Sequence, residues 1–549
     1  MRFLPFLLSA AVFGASLPDI LNQELERNFN ILKGKAQPAP YYIAYAVADE
    51  QTEAIAATDG VVRGKSAEHQ RVLDVIVRVG DRKFDNYHMS DGERPHFTRA
   101  VNIPLEDLAA PIQRIAWMET DRCWRAAAQR FTQVKARAKT SAAPEDNSDD
   151  FSVEEPAVYN EPPPEIRFST DTWAPRLKRI AAELAHSDGV LSSEVEVVAE
   201  RQTRYLVNTE GTRLVHGSTT ARLIMICRGK ASDGMDLMTT RTFEAPTPDR
   251  LPGADTLVTA AAGIRTNLEK LLTAPYTEPF VGPAILSGRA AGVFFHEIFG
   301  HRIEGQRQKD EREGQTFAKS IGQPVLPPFL SVVFDPTMRA LGGVSLSGWY
   351  TYDDQGVKAR PVTVVEDGTL RTFLMSRTPI QGWDHSNGHG RAQPGYEPVA
   401  RQSNLIVESK KQVSDQQLRR MLMDEIKRQN KPYGLYFEDI SGGRTLTQRR
   451  GLQAFTVVPV MVYRVYADGR PDQLVRGVDI VGTPLSSFAR IEATSDRPEV
   501  FNGICGAESG SVPVSAVSPA LLISEIEVQK KARAEDRPPF LPRPAGEAR

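Results

Sequence analysis

Residues 293–301 run Val293-Phe294-Phe295-His296-Glu297-Ile298-Phe299-Gly300-His301, placing two imidazoles and a carboxylate inside an otherwise apolar helical stretch. Polar groups buried there need partners to offset their desolvation, so any fold for this chain must bring something to meet them. A metal ion is the reading favoured over a chance His-Glu-His on a solvated helix, although nine histidines are available to produce one. In the common HExxH arrangement the histidines share one helix face at i and i+4, with the glutamate placed to take a proton from the attacking water. Here the spacing is i and i+5, which on a regular helix splays the rings by about 140°. Both reach one ion only if the helix relaxes, and a π-type turn near Gly300 is the expected device.

A catalytic zinc ion usually takes three protein ligands. Of the three cysteines, Cys123 sits in a helical run and Cys227 in a β-like one, where a small buried apolar residue is the better reading. Cys505 lies in the glycine-flanked turn Asn502-Gly503-Ile504-Cys505-Gly506, before the strand-like Ser511-Val512-Pro513-Val514. Such a loop suits a thiolate presented to a metal, yet a lone cysteine is by itself equally a structural residue. Glu304 and Asp310 are rival oxygen ligands, though a surface-facing carboxylate is the commoner role so near the motif. His385 and His389, in a glycine-containing loop, are rival ligands or substrate contacts, with a solvated loop as the plainer alternative.

Three segments in order, His296 to Gly305, Val475-Arg476-Gly477-Val478-Asp479-Ile480-Val481-Gly482-Thr483-Pro484-Leu485, and Cys505-Gly506 with the strand after it, together resemble the TldD branch of the TldD/PmbA metallopeptidases, also labelled modulators of DNA gyrase. The resemblance is good over about residues 283–528 and loose before them. It implies a Zn2+ cofactor held by His296, His301 and Cys505, with Glu297 as the catalytic base. The PmbA-like branch is similar in shape but lacks these ligands, so the chain resembles the catalytic member. The resemblance also implies a two-subunit shell around an internal chamber, formed as a homodimer or with a PmbA-like paralogue. A peptide substrate, short or unfolded, then pairs with a strand edge such as 401–408, and the loop of His385 and His389 lines the cleft. The alternatives are a peptide-binding or assembly subunit with a closed structural metal site, or a zinc amidase acting on a non-peptide substrate.

The remaining features limit rather than direct the reading. Basic and acidic residues nearly balance, 67 against 69, so no nucleic-acid footprint is expected. No run after the amino terminus reaches the length of a membrane span. Residues 1–16, basic then apolar then small, read as a signal peptide and imply an exported, periplasmic or secreted protein. The expected fold class is α+β. An amino-terminal α/β-type domain covers 17–274, with an acidic, proline-rich insertion at 138–165 expected to be disordered or a surface excursion. A mostly antiparallel β domain carrying the motif helix covers 275–530, and a disordered tail 531–549.

Overall fold

The computed structural model describes residues 15–89, 94–140, 146–449, 455–481, 484–531 and 539. The expected signal sequence, residues 1–16, and the expected tail, 531–549, lie outside the described residues apart from residues 15, 16, 531 and 539.

The protein is α+β, built around two large sheets. The first has seven strands, with Val61–Val79, Pro40–Thr58, Ser192–Asn208 and Arg213–Lys230 adjacent and antiparallel. Period-2 alternation gives its strands two different faces. Val195, Val197, Leu223 and Met225 point into a core completed by helices Thr170–Ala185 and Ala254–Thr273. Helices Leu17–Lys35 and Ala109–Ala138 cover the rest of that face through Leu21, Leu25, Ile112 and Ala116. Glu200, Gln202, Arg204, Arg222 and Glu244 point the other way and line a cavity.

The acidic insertion is not a free excursion. Residues 141–145 lie outside the described residues, but Val158–Asn160 pairs in parallel with residues 213–215 of the sheet. Phe151 is buried between the guanidinium groups of Arg78 and Arg377, each 3.9 Å from its ring. Lys309 donates to the carbonyl oxygens of Ser148 and Asp149. The composition that suggests solvation supplies the partners of buried cations from elsewhere in the chain.

The second sheet has twelve strands. Part of it closes on itself: Phe280–Leu286 pairs with Gly434–Thr445 and with Gly510–Lys530, Gly434–Thr445 with Phe455–Val465, Phe455–Val465 with Val478–Val481, and Val478–Val481 with Gly510–Lys530. The motif helix, Gly288–Ile298, follows the first of these strands and packs against the ring, and ten of its eleven residues are buried. Ser287 caps it by accepting from the Ala290 amide. Phe294, Phe295 and Phe299 pack around Phe488. The helix from Asp415 to Arg428 forms with Ser414 as its cap and Leu418, Leu422 and Ile426 buried, as its spacing predicts.

The proposed docking edge at 401–408 is not an edge. Asn404–Ser409 lies between Leu330–Phe334 and residues 515–517, and Arg401 to Asn404 are fully buried. Ser441 to Thr445 are different, because Gly434–Thr445 has its second neighbour only at residues 435–437. Beyond that point its free side has no strand partner among the described residues.

Because Phe488 fills the space between three motif-helix aromatics, Phe488→Ala should cost about 3–5 kcal/mol. Denaturant unfolding measures this, and a loss below about 1 kcal/mol would mean that the aromatic cluster relaxes to fill the space.

Candidate metal centre

His296 and His301 converge through an abrupt helix end rather than a π-type turn. The α-helix stops at Ile298, and Gly300–Ile303 forms a 3-10 turn. Side chains take the last helical carbonyls: Gln402 Nε2 donates to His296 O at 3.1 Å, while Arg302 Nη1 donates to Glu297 O and Ile298 O at 3.2 and 2.9 Å. Such capping of orphaned carbonyls is how a helix ends without loss. The tighter turn then brings His301 back to the side of His296. Gly300 is needed for space, since a Cβ there would lie 1.9 Å from Gln402 Oε1.

The rings end 5.0 Å apart, centroid to centroid. Cys505 Sγ stands 3.3 Å from His296 Nε2 and 3.4 Å from His301 Nε2. All three donor atoms lie within 4.8 Å of one another and the residues are buried. Cys505 is not in a loop. It sits near the end of strand Ile491–Ala507, opposite Val512, where β pairing fixes its direction more firmly than a turn can.

Electrostatics suit a cation. Burial favours the neutral thiol of Cys505, but the facing His301 and His296 rings outweigh it and hold the thiol well below its usual range. Burial likewise opposes charge on His301, yet Cys505 and Glu304 raise it to about 10. Binding of a metal to these groups would release the proton that they share.

The other candidates lie elsewhere. Glu304 is fully buried, not surface-facing, and its Oε2 lies 3.4 Å from His301 Nδ1, on the ring edge away from Cys505. Burial disfavours its charge, but His301 and Arg307 lower its pKa. Asp310 is buried near Arg94 and Arg312. His385 is exposed and meets the Val153 carbonyl. His389 is fully buried between Asn387 and Ser403 rather than in a solvated loop, and burial pushes its pKa down to about 3. Among the described residues, no fourth His, Cys, Asp or Glu joins the three-donor group.

Glu297 lines a cavity of about 570 Å³ together with His296, His301, Cys505 and the segment from Ser441 to Thr445, which is free on one side. Gly443 lies so close that a Cβ there would be 2.5 Å from Glu297 Cγ. Arg222, Ile224, Glu244 and Ile504 also line the larger cavity of about 950 Å³ against the first sheet. Sequence reasoning missed Arg401 and Gln402, which hold the site from beneath. Their one signal is a run of four polar residues, Arg401 to Asn404, directly before the apolar Leu405, Ile406 and Val407.

Residues 281–530 match the family model of the PmbA/TldA metallopeptidase C-terminal domain. The chain is 26% identical over 318 residues to a metalloprotease of Methanocaldococcus jannaschii, covering 57% of this chain and 64% of that one. It is 26% identical over 249 residues to a zinc metalloprotease TldD homolog of Saccharolobus solfataricus, covering 45% and 51%. The matches thus span about half to two-thirds of these relatives. The crystal structure of TldE from Thermococcus kodakarensis superposes with a TM-score of 0.62 at 14% identity, over 94% of this chain and all of that one, a likeness of fold. Residues 281–530 thus carry a PmbA/TldA metallopeptidase C-terminal domain, and the chain is similar to curated metalloproteases called TldD homologs.

The three thiols should differ in reactivity. Burial pushes Cys123 and Cys227 up to about 12, whereas Cys505 is depressed and faces a cavity. In metal-free protein a small alkylating reagent should therefore label Cys505 first at neutral pH, and labelling should persist as the pH falls below the ordinary thiol range, because the thiolate is the nucleophile. Peptide mapping that finds Cys123 or Cys227 labelled first would contradict this.

Proposed function

We propose that this chain is a zinc-dependent peptidase of the TldD-like catalytic branch, with His296, His301 and Cys505 as ligands and Glu297 as general base. The observation that carries the reading is the buried three-donor group with Glu297 beside it on one cavity wall. Two imidazoles and a depressed thiol form a donor set suited to zinc, and the lack of a fourth donor among the described residues counts against a closed structural site. When bound, zinc supplies a Lewis acid that polarises the scissile carbonyl and acidifies a water molecule.

The chain's own groups do the rest. The Glu297 carboxylate accepts the attacking water's proton and delivers it to the leaving amine nitrogen. Arg302 keeps the Glu297 backbone in place through its hydrogen bond to the carbonyl and ties it to Thr445 Oγ1 at 3.0 Å. The free side of Ser441 to Thr445 offers backbone groups to an extended substrate beside Glu297. The cavity continues along the polar face of the first sheet. This supports short or unfolded peptides as substrates, since a folded domain cannot present an extended strand there. A second copy or a metal-free paralogue is the proposed partner in enclosing the chamber.

Metal analysis and peptide digests test the assignment. Cys505→Ser and His301→Ala should each lose bound zinc, while Cys123→Ser and Cys227→Ser keep it. Glu297→Gln should keep zinc and lose about a hundredfold or more of hydrolysis. Full zinc occupancy in Cys505→Ser, or native cleavage by Glu297→Gln, would sink it. For the enclosed chamber, light scattering should show an assembly, and digests should show cleavage of one substrate unfolded but not folded. An active monomer or equal rates on both forms would decide against the chamber.

A further inference from the structure

His301 and Cys505 reach the centre from segments 204 residues apart in sequence, and two buried charges connect those segments directly. We propose that Glu304 and Arg401 are positioning residues that hold the histidine turn and the cysteine hairpin in register for the metal. This rests on the metal reading above and goes beyond it to groups that touch no substrate and no ion.

Both side chains are completely buried. Glu304 Oε2 lies 3.4 Å from His301 Nδ1 and accepts from Arg307 Nε at 2.8 Å. A carboxylate at Nδ1 places a proton on that nitrogen and leaves Nε2, the atom facing Cys505 Sγ, free to bind a cation; such outer carboxylates orient a ligand ring and raise its basicity. Glu304 Oε1 has no hydrogen-bond partner and lies 3.7 Å from Arg401 Nε. Arg401 grips the hairpin at three points: Nη2 donates to Cys505 O at 2.7 Å, and Nη1 to Ser509 Oγ and Gly510 O at 2.8 and 2.9 Å. One ion pair therefore links the ring of one ligand to the backbone of another. Arg401 suits this place because a guanidinium fork reaches several acceptors at fixed angles, which an ammonium does not. Glu313 provides a comparison, since it is buried in the same network and pairs with Arg307 at 2.9 Å without touching a ligand.

The test is zinc affinity of the full-length protein by chelator competition, with the absorption spectrum of the cobalt-loaded form reporting ligand geometry. Glu304→Gln and Arg401→Met should each weaken zinc about tenfold to a hundredfold. The double variant should lose less than the product of the two, because both changes break one link. Both should alter the cobalt spectrum, and Glu313→Gln should leave affinity and spectrum as in the parent. Arg401→Lys keeps a buried cation, so it should retain the fold and still lose affinity if Arg401→Met does not fold. Parent-like affinity in Glu304→Gln and Arg401→Lys, or equal weakening by Glu313→Gln, would overturn the positioning role while leaving the metal reading intact. A parent protein that binds no zinc would overturn the metal reading itself.

Discussion

Burial of the motif helix against a closed ring of strands is the constraint on which the site depends. With ten of the helix's eleven residues buried, there is little water to satisfy its polar groups, so each must find a partner in the protein or in a bound ion. The partners are specific. Gln402 and Arg302 take the terminal carbonyls, Glu304 meets His301, and Arg307 and Arg401 surround Glu304. Breaking one member of such a network leaves a buried charge uncompensated, which is far more damaging than losing an exposed pair.

The same packing shapes access. One wall of the site is a strand whose outer backbone is unpaired, and the cavity shares Arg222, Ile224 and Glu244 with the one against the polar face of the amino-terminal sheet. That face is itself a consequence of alternation, because helices cover the apolar side of those long strands and leave Glu200, Gln202 and Arg204 pointing inward. The acidic segment around Phe151 bridges the two halves, with the Phe151 ring stacked on Arg78 and Arg377 and the carbonyls of Ser148 and Asp149 accepting from Lys309.

Several features were legible from local pattern alone. The motif, its apolar flanks, the Ser414-capped helix and the α+β class follow from periodicity and capping chemistry, which act between residues a few positions apart. Where the structure departs from these expectations, packing between separate segments is the reason. The π-type turn gave way to a 3-10 turn because Gln402 and Arg302 take the carbonyls. Residues 148–152 pack because cations elsewhere in the chain recruit their carbonyls and the Phe151 ring. The segment 401–408 became an interior strand because residues 330–334 and 515–517 flank it.

Residue identity alone determined which chemistry this chain has available: two imidazoles, a carboxylate and a thiol in an apolar setting. Tertiary structure alone decided that these groups meet. The i, i+5 spacing points the rings apart until the helix ends, and Cys505 arrives on a strand whose register is set by residues 510–514. Hydrogen bonds and ion pairs between segments far apart in the chain carry little local signature, so the roles of Arg401 and Gln402, and the inward turn of Glu304, become visible only once those segments have packed together.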